Sequence, residues 1–190
     1  LHPEDLATYL TWPLPNVWLG VTVENQRWAD ERIPILLDTP AAGRFVSVEP
    51  LLGPIDLTHI DWSANYLGKW ARLRASLEAD GVSERVAVVD EIVDEVKLAR
   101  GTEYHPELNA LTGHKTDGED VIDRDERLSW VIVGGESGPR RRPMELRWLL
   151  DVVEQCKAAG VAVHVKQDSA LRPGTQGRIP DDVWALKEAP

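Results

Sequence analysis

Four short, mostly apolar runs recur along the chain; three stop at a polar or acidic residue and one at two glycines before Glu136. They are Val17 to Val23, Arg44 to Val48, Trp130 to Val133 and Val161 to Val165. Continuous runs of this kind, bounded by glycine or proline, read as strands buried on both faces of a parallel sheet. Between them the period changes to that of helices. A helix is predicted from about Gln26, with Pro34 interrupting it or starting a second short turn, and with Thr39-Pro40 ending it. A second helix is predicted from near Pro143, with Trp148, Leu149, Val152, Val153 and Cys156 on its apolar face and Gly160 as its cap. Pro3 to Leu10 reads as a short helix and Trp12 to Asn16 as a proline-bound loop. Ile55 to Leu57 reads as a short extended piece. The tail from Asp168 reads as loop, with Val183 to Leu186 packing as a short strand or turn.

The order is strand, helix, strand, insertion, strand, helix, strand. That order predicts an α/β fold with a parallel sheet and right-handed crossovers. Four units without closure leave two open edges. Either something outside this chain completes a barrel, or the sheet is open and covered. The inserted segment, residues 60–127, breaks the rhythm. Lys69 to Ala79 and Arg85 to Ala99 read as a helical pair, the second with Val89, Ile92, Val93 and Val96 on one face. The polar text after Gly101 reads as loop.

Composition sharpens this picture in three places. The chain has 190 residues, enough for one domain with a sizeable insertion. Its net charge is -11, and the 60–127 segment carries sixteen Asp/Glu against nine Lys/Arg. An overall charge of that sign disfavours non-specific nucleic-acid binding over the whole surface but leaves room for a local basic site. Cys156 is the single cysteine, so neither an internal disulfide nor a cysteine cluster is available on this chain. With no long apolar run and no basic-apolar leader at Leu1 to Leu10, a cytoplasmic setting is expected.

Candidate chemistry gathers where the strands stop. Glu24 and Asn25 close the first, Glu49 the second, Gly134-Gly135-Glu136-Ser137 the third, and Lys166 and Gln167 the fourth. In a parallel α/β sheet these ends share one face, which is where such folds place their sites. Three carboxylates, an amide and an ammonium converging there suit a polar ligand, and one carboxylate with a raised pKa would serve acid/base work. Gly134-Gly135 matches neither a dinucleotide fingerprint nor a phosphate-binding loop. Arg140 to Arg142 either hold an anion or form a solvated loop that offsets nearby acids. His59, His105 and His114 match no metal-ligand spacing, and His164 reads as a core residue within a strand.

The ordered blocks Asn16 to Gln26, Arg44 to Pro54, Trp130 to Gly138 and Val165-Lys166-Gln167 resemble a family of phage and prophage proteins of unassigned function, related to radical S-adenosylmethionine enzymes. The resemblance implies a partial parallel (β/α) barrel of radical-SAM type, in which the four strands here are the third to sixth. It implies a [4Fe–4S] cluster held by a three-cysteine motif in an amino-terminal region, with S-adenosylmethionine on the open iron. This chain departs from the family by lacking that motif. The resemblance then implies a missing amino-terminal segment, or a separate chain, that completes the barrel. Carried over, Glu49, Glu136 and Lys166 are the expected catalytic residues. Glu24, Asn25, Gly134, Gly135, Ser137 and Gln167 are expected at the cofactor. The implied activity is modification of a nucleic acid or nucleotide, lost in this chain alone. The alternatives are an accessory protein that binds a host protein through the acidic insertion, and a hydrolase using the carboxylate cluster.

Overall fold

The structure is a computed structural model describing residues 12–62, 73–82, 85–91, 107–117, 120–123 and 126–189. Pro3 to Leu10 and the second half of the Arg85 to Ala99 helix fall outside them. Four parallel strands form the main sheet in the order β1 (Trp18–Thr22), β2 (Gly43–Val48), β7 (Trp130–Gly134) and β8 (Ala162–Gln167). Spatial order follows chain order. Helix α1 (Gln26–Asp38) connects β1 to β2, and α2 (Leu146–Ala159) connects β7 to β8. The protein is therefore α/β with a parallel four-stranded sheet.

Register explains which face is covered. Val21, Val46, Val131 and Val163 stand in one row across the sheet, and Val48, Val133 and Val165 in the next. These valines share one core with Ile33 and Leu37 of α1 and with Leu149, Val152 and Cys156 of α2. The opposite face carries Trp18, Phe45, Trp130, Ile132, His164 and Lys166, all partly or largely exposed. Trp18 lies across Gly43, and Phe45 across Gly20, so each ring occupies the space a neighbour's side chain would need. Phe45 and Trp130 are 5.6 Å apart, and Trp130 meets His164 edge-on at 6.3 Å. This corrects the reading of the runs as strands buried on both faces, and of His164 as a core residue. Trp18, 37% exposed, and His164 are not core residues, because strand alternation turns them to the uncovered face.

Three helix boundaries also refine the sequence reading. Pro34 lies inside α1, which runs on to a cap at Thr39. Helix α2 begins at Leu146, three residues after Pro143, and ends at Gly160 with φ 66°, the left-handed cap glycine favours. The tail forms a short helix, α3 (Asp181–Trp184), and then runs antiparallel along β8 through the His164–Lys187 bridge. That pairing covers one sheet edge.

The chain between β2 and β7 takes the place of a crossover helix. Leu51, Ile55, Leu57, Ile60, Leu108, Leu111 and Leu128 join the same core. Two helix glutamines fix its base: Gln155 accepts from Leu57 N–H at 2.7 Å and donates to Ile55 O at 3.0 Å, and Gln26 accepts from Asp56 N–H at 2.6 Å. Beyond it lies a small antiparallel sheet of β3 (Ile60–Asp61), β4 (Glu107–Leu108), β5 (His114–Asp117) and β6 (Asp120–Asp123). The stretch read as polar loop after Gly101 thus contains a hairpin, paired from His114–Asp123 to Asp117–Asp120. Residues 73–79 and 85–91 are helical as expected. Arg74 links them, bonding Asp90 at 2.6 Å and Glu78 at 2.7 Å.

Candidate functional site at the carboxyl ends of the strands

Because the main sheet is parallel, Glu24, Glu49, Glu136 and Lys166 emerge along one edge of it. The structure resolves them into three carboxylate–cation pairs. Glu49, whose side chain is 15% exposed, meets Lys166 Nζ at 2.9 Å. Glu136 accepts from Arg142 N–H at 2.9 Å and from Arg142 Nε at 2.8 Å. Glu24 meets Arg32 at 3.3 Å. The last two pairs communicate, since the charge of Glu24 also acts on Arg142.

The Glu49 pair depends on the two glycines. Strand β7 lies between β2 and β8, so a residue after β2 reaches one at the end of β8 only across the β7 end. Gly134 and Gly135 put nothing but backbone there. Gln167, 2% exposed, exploits the gap: its Nε2 donates to Glu49 Oε1 at 3.1 Å and to Gly135 O at 2.7 Å, and its Oε1 accepts from Gly174 N–H at 2.8 Å. A buried amide with every contact made is a rigid support. The glycines themselves are occupied by this chain. A Cβ at Gly135 would stand 2.5 Å from both Ser169 N and Ser169 Oγ.

The remaining predicted residues have structural partners too. Asn25 caps α1, accepting from Trp28 N–H at 3.4 Å. Ser137 forms an isolated parallel bridge with Ala170. Of the Arg140 to Arg142 run, Arg142 is taken by Glu136, whereas Arg140 and Arg141 are exposed without a carboxylate partner among the described residues. The start of α2 at Leu146 removes the adjacent helix end expected for an anion site.

Electrostatics assigns the charges. Hydrogen bonds from the Arg142 side chain and backbone hold Glu136 below the usual carboxylate range, and Glu136 in turn raises Arg142. Glu136 is therefore an anion, not the proton-bearing acid that the cluster of carboxylates suggested.

Sequence reasoning missed the residue that ties the rim together. Asp168, directly after Gln167, is 2% exposed. It accepts from Arg178 N–H at 2.8 Å, Nε at 2.9 Å and Nη2 at 2.7 Å, and from Ser169 N–H at 2.7 Å. Burial works to raise its pKa, but these donors outweigh it and hold Asp168 low. Arg178 also donates to Met144 O at 2.7 Å, and Ser169 Oγ accepts from Met144 N–H at 2.8 Å. The 168–178 loop is thereby stitched to the loop before α2. The signal available was an acid at a strand end followed by Arg178 in a glycine-rich loop, a pattern with no fixed spacing.

Cys156 lies fully buried on α2, and burial pushes its thiol up to about 12. A [4Fe–4S] cluster needs several accessible thiolates, so the residues present do not fit one. Among the described residues no three of His, Cys, Asp and Glu converge as metal ligands. The donor set at the strand ends does suit an amino-acid moiety, with carboxylates for an ammonium and Arg142 or Lys166 for a carboxylate. Native protein is expected to resist a disulfide exchange reagent at pH 8, with one thiol titrating only after unfolding. Rapid modification of the folded chain would contradict the burial.

Comparison with known families places this arrangement. The chain belongs to the family described as "Protein of unknown function (DUF5131)", which matches residues 2–178. That match covers the parallel sheet, the insertion and the whole strand-end rim, including Asp168 and Arg178. No curated protein and no solved structure matches the chain. Among the described residues no helix is long and apolar enough to cross a membrane.

Proposed function

We propose that this DUF5131 chain is the carboxyl-terminal wall of a (β/α) barrel of radical-S-adenosylmethionine type, from a phage or mobile element, that modifies a nucleic acid or nucleotide. One observation carries the reading. The sheet is wound in chain order, with α1 and α2 against one row of valines, while its other face carries Trp18, Phe45, Trp130, Ile132, His164 and Lys166, partly or largely exposed and with no helix on it among the described residues. A sheet wound this way, with its helices on one side among the described residues, supports reading it as a segment of a barrel whose interior is the other face. The amino-terminal segment or separate chain that would close it supplies the cluster thiolates, which Cys156 does not.

On this reading the strand ends hold the ligands. Glu136, an anion beside Gly134-Gly135, takes the ammonium of the methionyl part of S-adenosylmethionine. Arg142, already directed at Glu136, takes the neighbouring carboxylate. Glu24, Asn25, Ser137 and Gln167 complete the cofactor wall, and Glu49 with Lys166 faces the substrate. The test is Glu136→Gln in a longer relative that carries the cysteine motif, with S-adenosylmethionine binding measured by titration calorimetry. Affinity is expected to fall about tenfold or more, the scale of one lost charge-assisted bond. Unchanged affinity would overturn the assignment.

A further inference from the structure

The chain is acidic, yet its cations are not spread evenly. Residues 135–145 and 168–180 together contain five Lys/Arg and three Asp/Glu, a surplus of two positive charges in a chain of net -11. These two stretches are the loops that cover the carboxyl ends of β7 and β8. They are zipped side by side: Ser137 bridges Ala170, Gly138 N–H donates to Ala170 O at 3.0 Å, and Met144 N–H donates to Ser169 Oγ at 2.8 Å. The zipper sets Arg140 and Arg141 beside Leu171 and Arg172. All four are exposed, and Leu171 is 61% exposed. Arg140, Arg141 and Arg172 have no carboxylate partner among the described residues. Of the three acids of the patch, Glu136 is engaged by Arg142 and Asp168 by Arg178, which leaves Glu145.

We propose that these paired loops form a docking surface for the phosphate backbone of a nucleic acid. The three cations left without a carboxylate among the described residues, Arg140, Arg141 and Arg172, are all arginines, whose planar forks match phosphate oxygens in pairs. The patch spans two loops, so it suits a polymer with repeated phosphates better than one small anion. It adjoins the Glu49–Lys166 pair, so a strand held there lies against the substrate side of the rim. On α1, Arg27 and Arg32 flank the Trp28 ring at 4.9 and 4.2 Å, with Arg32 also paired to Glu24. The inference builds on the barrel reading by naming the polymer's surface, but it concerns binding alone and needs neither cluster nor cofactor.

The experiment titrates this chain against labelled RNA and DNA oligonucleotides of about 20 nucleotides, single-stranded and duplex, between about 50 and 200 mM salt. Saturable binding is expected, with affinity falling as salt rises. The triple variant Arg140→Ala, Arg141→Ala, Arg172→Ala is expected to bind about tenfold or more weakly. Its log–log salt slope should be shallower by about 2 to 3, at about 0.7 to 0.9 per lost phosphate contact. The Lys-substituted triple should keep the slope, and Lys157→Ala, at the far end of α2, should change nothing. No saturable binding, or a triple variant with unchanged affinity and slope, overturns the proposal. So does a result in which the triple variant loses only self-association, which would make the patch a dock for the acidic segment of a second copy. Failure of any of these leaves the Glu136→Gln result standing, so the two readings fail separately.

Discussion

Replacement of Asp168 by alanine is expected to lower the melting temperature by about 5–10 °C, the largest effect of any polar substitution at the rim. Asp168 is almost fully enclosed, and its carboxylate collects three donors from Arg178 and one from Ser169. Removing one partner of a buried pair leaves the others unsatisfied, which costs about 3–5 kcal/mol when both are enclosed. Arg178 is 54% exposed and regains water, so the cost here is about 2–3 kcal/mol. At ~2–4 °C per kcal/mol for a chain of this size, that gives the stated fall. Gly177, at φ 61°, packs directly on Asp168. A longer acid at position 168 therefore does not restore the contact, and Asp168→Glu is expected to recover less than half of the loss.

The same residue predicts a pH dependence with a definite sign. Asp168 is held below its usual value in the folded state. A carboxylate depressed on folding adds stability that is fully present above its unfolded pKa of about 3.9, and loses it as pH falls through the lower folded value. Wild-type protein is thus expected to lose this component only below about pH 4, as followed by urea denaturation across the acid range. Asp168→Asn, which has no charge to titrate, should be less stable at neutral pH, and the gap should narrow as pH drops. A gap constant with pH would show that the carboxylate's charge is irrelevant.

The four main strands and the residues that end them were legible in the sequence because apolar runs stopping at Glu24, Glu49, Glu136 and Lys166 carry a strong local signal. How those residues pair was not. Glu49 and Gln167 are 118 positions apart and meet only because β7 ends in two glycines, a fact of sheet order rather than of spacing. Trp18 and His164 look like core inside continuous apolar runs. The assumption that failed was that both sheet faces are covered. The β5–β6 hairpin was hidden because its four-residue strands, His-Lys-Thr-Asp and Asp-Val-Ile-Asp, show little apolar alternation. Asp117-Gly118 was the turn signal present in the text. Pro34 stops a helix by propensity, but the surrounding core of Ile33, Leu36 and Leu37 holds α1 through it.

Gly135→Ala is the substitution expected to damage fold and site together. Elsewhere glycine's value lies in backbone freedom, as at Gly160. At Gly135 it lies in size, because an added Cβ would stand 2.5 Å from Ser169 N and Oγ and 2.9 Å from Asp168 C. No real Cβ tolerates such an approach to backbone, so the loop after β8 must move. The movement strikes the two bonds that seal β7 to β8 here, Gly135 N–H to Gln167 O at 2.9 Å and Gln167 Nε2 to Gly135 O at 2.7 Å. Through Gln167 it reaches Glu49, and through Ser169 it reaches Asp168. Forced overpacking against backbone costs about 3 kcal/mol, equivalent to a fall of about 6–12 °C in melting temperature. Two comparisons make the cause specific. Ser169→Gly removes the hydroxyl but not the backbone nitrogen, so the double variant should recover only part of the loss. Full recovery would show that the hydroxyl alone was the obstacle. Gly135→Ala should also free Glu49 from Gln167, which carboxyl NMR reads as a moved Glu49 side-chain resonance at neutral pH. An unchanged Glu49 signal in a destabilised variant would separate the glycine's structural role from its hold on the rim.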